Sequence, residues 1–453
     1  MPALQGQKDK KAGKNRNIMI EALILGLFCA GLLICIILDW SILYALGFGL
    51  VVFLLYGRTK GFAWKALFVL CLRGLKTVKN ILIIFVLIGM LTAFWRASGT
   101  IPAIVSAAGT LIRPEIFLLM TFLLNCAVSW LTGTSFGTAA TMGVICATMG
   151  YAMGVNPYLM GGAVLSGIYF GDRCSPVSTS ALLVSEITQT DIYHNIKNMF
   201  RSAAVPFAAA VVLYALLGFS VQTRAQAPDL RALFVTEFSL HWLTFLPALV
   251  ILVLALFHVK VRFAMGASIL AAIPLCLILQ DVAWQDLLKI AFFGFTAKTP
   301  ALSSMIDGGG ILSMVRVAGI ISLSSAFSGI MKETGLLDGI QKVVIRLGQK
   351  GTGYAATLVS SVVISMIACN QTLALLLSNQ LCGQLYTEKE KLALDLEDTA
   401  EIVSPLVPWC IAGSVPMSTI GAPAAATFCG FYLILLPFWR LITSFYQRSR
   451  ERR

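Results

Sequence analysis

Long apolar windows recur along the chain, separated by short polar breaks. They predict helices at about Ile18–Leu38, Ser41–Tyr56, Ile81–Trp95, Ala203–Phe219, Trp242–Phe257, Phe263–Leu279, Tyr354–Ala368 and Thr427–Phe445. About 20 apolar residues in a helix cross roughly 30 Å of hydrocarbon. The runs do not alternate as strands would, so the pattern implies helices that satisfy their own backbone polar groups in lipid. Ile101–Ile112 is short enough to read as re-entrant or tilted, and Leu287–Phe295 is too short for a span.

Composition agrees. Of 453 residues, 58% are hydrophobic and 12% charged, against about 25% charged in soluble domains. The net charge of +13 gathers at the two ends and in a few loops. That placement fits cytoplasmic anchoring beside anionic lipid and excludes nucleic acid as the partner. Residues 1–17 form a basic tail expected in the cytoplasm, as does the Arg-rich tail 447–453. Both termini inside require an even number of crossings, about ten to twelve. Arg58–Lys79 carries bases without acids and reads as a cytoplasmic, interfacial amphipathic helix. The longest polar break, 222–240, divides a first transmembrane half (18–221) from a second (241–446) and is expected outside the cell. The eleven cysteines lie mostly in apolar runs without paired spacing, as small buried residues of a reduced protein do.

The chemistry sits where polar residues invade this apolar background. Leu165–Asp191 holds Asp172, Arg173, Ser175, Pro176 and Ser178–Ser180. Ionisable residues at bilayer depth are costly and mark function by default. A salt bridge from Asp172 to Arg173 or Arg316 is the structural alternative. Ser129–Gly143 interleaves Thr132, Thr134 and Ser135 with Gly133 and Gly137, which predicts a broken helix; small-residue helix packing is the plainer reading. In the second half, Asn370, Gln371 and Thr372 interrupt an apolar run, and Glu397, Asp398, Glu401, Ser404 and Pro405 form a second acidic, proline-broken segment. Glu401-x-x-Ser404-Pro405 echoes Asp172-x-x-Ser175-Pro176. Interrupted segments in corresponding places of two halves point to a transport site near the bilayer midplane. Glu397 and Asp398 are adjacent, so one is expected to be solvated and the other to face that site.

Proline frees helix carbonyls. With hydroxyls and a carboxylate these make hard oxygen ligands for a small cation. A poorly solvated carboxylate can exchange Na⁺ for H⁺ near neutral pH. The candidate ion- or substrate-binding residues are therefore Thr132, Thr134, Ser135, Asp172, Ser175, Asn370, Thr372, Glu397, Asp398, Glu401 and Ser404.

At Leu131–Gly143 (LTGTSFGTAATMG), Ser166–Ser178 (SGIYFGDRCSPVS), Gly308–Met314, Ser328–Gly335 and Leu396–Trp409 (LEDTAEIVSPLVPW) the chain resembles the NhaC family of sodium/proton antiporters. The resemblance implies an all-α polytopic fold of two inverted repeats with broken helices and re-entrant hairpins, exchanging internal Na⁺ for external H⁺, and its motifs point to Thr132, Thr134, Ser135, Asp172, Ser175, Glu397, Asp398, Ser404 and Pro405 as site residues. The chain departs from that family at Ser178-Thr179-Ser180, where the family carries Asp-Thr-Thr. The missing carboxylate keeps a second reading open, a Na⁺- or H⁺-coupled exchanger of a small organic acid or amino acid. The expected partners are a monovalent cation, the proton, the lipid bilayer of the plasma membrane and, on the second reading, an organic anion; a homodimer is compatible. No cofactor is expected beyond the transported Na⁺ and H⁺. No Cys/His or Ser/His/Asp arrangement or phosphate-binding loop suggests an enzyme, and a channel or scaffold is disfavoured by the paired broken segments.

Overall fold

The computed structural model describes residues 20–451 except 22, 33, 36–37, 39, 110–112, 221–229, 258 and 335–350. The basic tail 1–17, residues 222–229 of the polar break and the Lys342, Arg346 and Lys350 segment lie outside the described residues. The rest is helical, and its one β feature among the described residues is an isolated bridge between Phe295 and Gly308. The protein is thus an all-α polytopic membrane protein. Four described helices are long and apolar enough to cross a membrane: Ile42–Thr59, Lys79–Ala97, Ile192–Phe219 and Ile311–Met331. Lys389–Leu406 with Ile411–Thr419, bent by 51°, makes a fifth candidate. Other apolar helices are shorter because polar residues break them.

The breaks build two hairpins. Phe117–Thr132 ends at Gly133, and the chain resumes at Ser135 and returns through Val144–Ala152. Gly150 then lies against the Phe117 ring, so the mouth of this hairpin is at Phe117. Gly353–Ala368 ends at Cys369 and returns as Gln371–Cys382. There the Tyr386 and Thr357 hydroxyls meet at 2.8 Å, so the second mouth is at Gly353. The C-terminal helix Phe431–Glu451 shows how the two are arranged. Its Phe431 end packs on Tyr214, one turn from Gly218, which touches Glu115 beside the first mouth. Its Ser444 bonds Thr352 at the second mouth, at 3.1 Å. The two mouths open toward opposite ends of that helix, some thirteen residues or about 20 Å apart.

Pro157–Cys174 packs along the first hairpin. Asn156 caps it and Pro157 occupies its first turn, where a missing N–H costs nothing. Gly167 and Gly171 face Phe122–Asn125 and Ser129–Trp130 so closely that an added Cβ would stand 2.4–2.6 Å from their atoms. Small residues permit such backbone contact in membrane bundles. The basic segment forms Trp64–Thr77. Phe68, Val69 and Leu72 are exposed as an interfacial helix requires, but its other side packs on Val315–Thr334. It is therefore docked on the bundle rather than lying free at the interface. Arg316, at the start of that longer helix, is exposed.

Candidate functional site

Both hairpin tips have the same local design. Gly133 is left-handed (φ 61°, ψ 32°) and its N–H bonds Ser129 O at 2.8 Å. Thr134 follows in extended conformation and caps the next turn by accepting from Gly137 N. Cys369 is left-handed (φ 54°, ψ 14°) and its N–H bonds Ser365 O at 3.2 Å. Asn370 then caps by accepting from Leu373 N at 3.1 Å. Each tip also meets the acidic segment of its own half. Ser135 N donates to Asp172 Oδ2 at 3.2 Å. Gln371 Nε2 donates to Glu401 O at 3.0 Å, and Ile411 N to Cys369 O at 2.9 Å.

The two acid-x-x-Ser-Pro motifs also match in placement. Asp172 lies in the last turn of Pro157–Cys174, before a turn at Ser175-Pro176 that ends in the Thr179–Thr188 helix. Glu401 lies in the short Ala400–Val403 helix, which runs into Ser404–Leu406 before the chain turns into Ile411–Thr419. Tyr169, one turn before Asp172, donates to Ala412 O at 2.8 Å and ties the two motifs together.

The charges divide into two groups. One is a ladder. Arg173 pairs with Asp398, and Arg440 contacts Asp398 Oδ2 at 2.6 Å and Asp395 Oδ1 at 2.8 Å. Two arginines face two aspartates, so the ladder is neutral. Arg173 is fully buried and satisfies its remaining donors on Glu397 O, Met199 O, Tyr432 Oη and Ser202 Oγ. Tyr386 Oη closes the outer end on Asp395 Oδ2 at 2.8 Å. Beyond it opens a polar cavity of about 330 Å³ lined by Thr352, Tyr354, Tyr386, Lys391 and Ser444.

The second group has no such balance. Asp172 accepts from Ser135 N and, at 2.6 Å, from the Ser178 hydroxyl, but no ion pair reaches it among the described residues. Glu397 and Glu401 are fully buried, and among the described residues their carboxylate oxygens have no hydrogen-bond partner. Ser180 stands beside Glu401, yet its hydroxyl meets that of Ser178 at 2.9 Å. Glu401 lies within electrostatic reach of Glu397 and Asp172, and Arg173 acts on both glutamates from a distance while its ion pair is made with Asp398. An unpaired buried anion is expensive, so these three carboxylates require protons or a cation. Among the described residues no three acid, histidine or cysteine side chains lie close enough to share one metal ion.

The sequence candidates fall unevenly around this cluster. Asp172, Glu397 and Glu401 come together, and Ser135 touches Asp172. Asp398 is adjacent but taken up by the two arginines. The expectation that one of Glu397 and Asp398 would be solvated fails: both are fully buried, because a break at Thr399 wraps this segment inside the bundle. The proposed salt bridge from Asp172 to Arg173 or Arg316 is absent too, since Arg173 turns to Asp398. Thr134 and Asn370 serve as caps at the tips. Thr132 bonds Thr138 across the first tip, Ser175 Oγ accepts from Val177 N, and Ser404 bridges to Ala400 O and Ser365. Thr372 is exposed and stands apart. Sequence reasoning missed Ser178, Tyr169, Asp395 and Arg440. Ser178 stands among the polar residues of Leu165–Asp191 and in place of an expected acid, but the sequence did not mark it as a partner of Asp172. Arg440 did carry a signal, as an ionisable residue inside the predicted span Thr427–Phe445, but its partners are far away in sequence.

Beside the first tip lies a crevice of about 370 Å³. Thr132, Thr134 and Thr179 line it along with apolar Val128 and Leu252, and exposed Lys260 stands on its rim.

Broken helices meeting around buried carboxylates inside an apolar helical bundle define the class: an integral membrane transporter of the secondary type. Comparison with known proteins sharpens this. Residues 167–443, more than half of the chain, match the Na⁺/H⁺ antiporter family, and the protein belongs to that family. It is 29% identical over 406 residues to the Na⁺/H⁺ antiporter NhaC of Alkalihalophilus pseudofirmus, covering 87% of each chain. It is 27% identical to the malate-2H⁺/Na⁺-lactate antiporter of Bacillus subtilis, covering 85% of each. It is 25% identical to the arginine/ornithine antiporter ArcD of Halobacterium salinarum, over 85% of this chain and 82% of that one.

Proposed function

We propose that the protein exchanges Na⁺ for H⁺ by alternating access, with Asp172 holding the cation and Glu397 and Glu401 carrying protons. The observation that carries this reading is the charge count: among the described residues, three buried carboxylates without an ion pair of their own lie beside a ladder in which two arginines already face two aspartates. Ion and proton then compete for the same uncompensated charge, which couples their movements. The matching tips, opening from opposite ends of the bundle, support an inverted pair of repeats. Rocking one against the other would expose the carboxylates to each side in turn. The Arg448 and Arg450 end of the last helix supports a cytoplasmic C-terminus in a plasma-membrane protein.

In everted vesicles with an imposed pH gradient, adding Na⁺ or Li⁺ should dissipate the gradient, and Asp172→Asn should not respond. Absence of any wild-type response to monovalent cations would overturn this reading.

One observation favours a second reading, exchange of a small organic anion. The crevice at the first tip combines threonine hydroxyls, an apolar wall and a lysine, a combination suited to a short carboxylate. The names of two relatives, which include lactate, malate and arginine, are compatible with it. A response to a carboxylate or amino-acid panel without a response to Na⁺ or Li⁺ would select it.

A further inference from the structure

Asp398 has the burial and the neighbours of an ion ligand, yet its oxygens are occupied. Oδ1 takes the Arg173 guanidinium and accepts from Ser202 Oγ at 3.1 Å, and Oδ2 meets Arg440 Nε at 2.6 Å. A small cation would have to displace a guanidinium to reach either one. The sequence neighbours of the pair point to a different role. Arg173 follows Asp172 directly, and Asp398 follows Glu397 directly. One ion pair therefore joins the backbone that carries Asp172 to the backbone that carries Glu397, across 225 residues of sequence. Arg173 Nε strengthens the joint by donating to Glu397 O itself, at 3.3 Å. Its other bonds, to Met199 O, Ser202 and Tyr432, fix the guanidinium against two further helices.

We propose that Asp398 is a positioning residue: through Arg173 it holds Asp172 and Glu397 in register across the two halves, and it does not itself bind the transported ion. The inference rests on the reading of Asp172 and Glu397 as transport carboxylates. Arg440 supports it from the far side. By pairing with both Asp398 and Asp395 it completes the neutral count, so the ladder adds no charge to the site.

The test is transport by the full-length protein in proteoliposomes, read on whichever substrate the wild type is first shown to exchange. Asp172→Asn serves as the ligand control. Asp398→Asn should raise the apparent KM about tenfold with a much smaller change in maximal rate, because site geometry rather than a ligand is lost. Arg173→Gln/Asp398→Asn, which removes both charges together, should show a smaller KM rise than the two single changes combined, since no buried charge is left alone. Arg173→Lys keeps the charge but loses the planar fork, and should raise KM without abolishing exchange; it carries the test if Asp398→Asn fails to insert. Loss of all exchange in Asp398→Asn, matching Asp172→Asn and unrelieved in the double variant, would overturn the inference by making Asp398 a ligand. An unchanged KM in Asp398→Asn and Arg173→Lys would overturn it as well. A wild type that exchanges an organic anion but no monovalent cation would sink the Na⁺/H⁺ reading instead, and the same KM comparison on that anion still decides the role of Asp398.

Discussion

Gly133 and Cys369 occupy the same left-handed conformation at the tips of two hairpins that open in opposite directions. The positions are not equally tolerant. A Cβ at Gly133 would lie 2.7 Å from Val177 C and 2.8 Å from Ser178 N, both backbone atoms. Gly133→Ala therefore combines a left-handed strain of roughly 1–2 kcal/mol with a clash that moves the Ser178 segment. Transport should be lost and the melting midpoint in detergent should fall. Cys369 already holds a side chain in this conformation. Cys369→Gly relieves strain but leaves space where a buried thiol was, so its stability should stay within about 1 kcal/mol of wild type. A Gly133→Ala variant as stable and active as wild type would show that the first tip does not need its left-handed turn.

Ser178 stands in the stretch where the resembled family carries an acid. Its oxygen accepts from Ser180 N and Ala181 N, capping Thr179–Thr188, while its hydroxyl donates to Asp172 at 2.6 Å. Ser178→Ala removes both roles. The cap alone should cost about 1 kcal/mol of stability. Losing the donor also leaves one Asp172 oxygen without its hydrogen bond, so the apparent cation affinity should change along with the melting midpoint. Ser178→Thr keeps the hydroxyl and should restore both. A fall in stability with unaltered cation dependence would reduce Ser178 to a cap.

The sequence made the helical, polytopic class plain, because lipid demands long apolar runs and 58% hydrophobic content supplies them. It also located both broken helices, since hydroxyls and glycine at Thr132–Gly137 and amides at Asn370-Gln371 cannot sit idle in an apolar run. What it could not show was which charge meets which. Arg173 lies beside Asp172 in sequence, but consecutive helical side chains point in different directions. Its partner Asp398 is brought in by packing between the halves. Arg440, in the middle of the last helix, could be suspected as a charge within an apolar run, but its pairing with Asp395 and Asp398 could not be read for the same reason.

The crevice at the first tip separates the two readings of substrate. Lys260 stands on its rim and Thr134 and Thr179 present hydroxyls to it. Charge at the rim steers an anion but repels a cation. If a small carboxylate is carried, Lys260→Ala should raise its KM several-fold, with the effect shrinking at high salt. If only Na⁺ and H⁺ are exchanged, the same variant should leave KM unchanged or lower it. Concentration dependence of transport at two ionic strengths distinguishes these outcomes.

Glu397 and Glu401 provide the strictest test of the proposed division of labour. Neither has a hydrogen bond to its carboxylate, and both are fully buried. If both carry protons while Asp172 holds the ion, more than one proton moves per Na⁺ and exchange is electrogenic. Its direction at a fixed ion gradient then responds to membrane potential. Glu397→Gln and Glu401→Gln each remove one exchangeable proton while nearly preserving shape. Each should therefore leave one proton per Na⁺, so that the exchange that persists in proteoliposomes is electroneutral and no longer responds to membrane potential. Asp172→Asn should instead abolish exchange, because it removes the ion's own charge partner. If either glutamine variant kept the wild-type response to membrane potential, that glutamate would not carry a transported proton. Its unpaired burial would then have to be explained by permanent protonation.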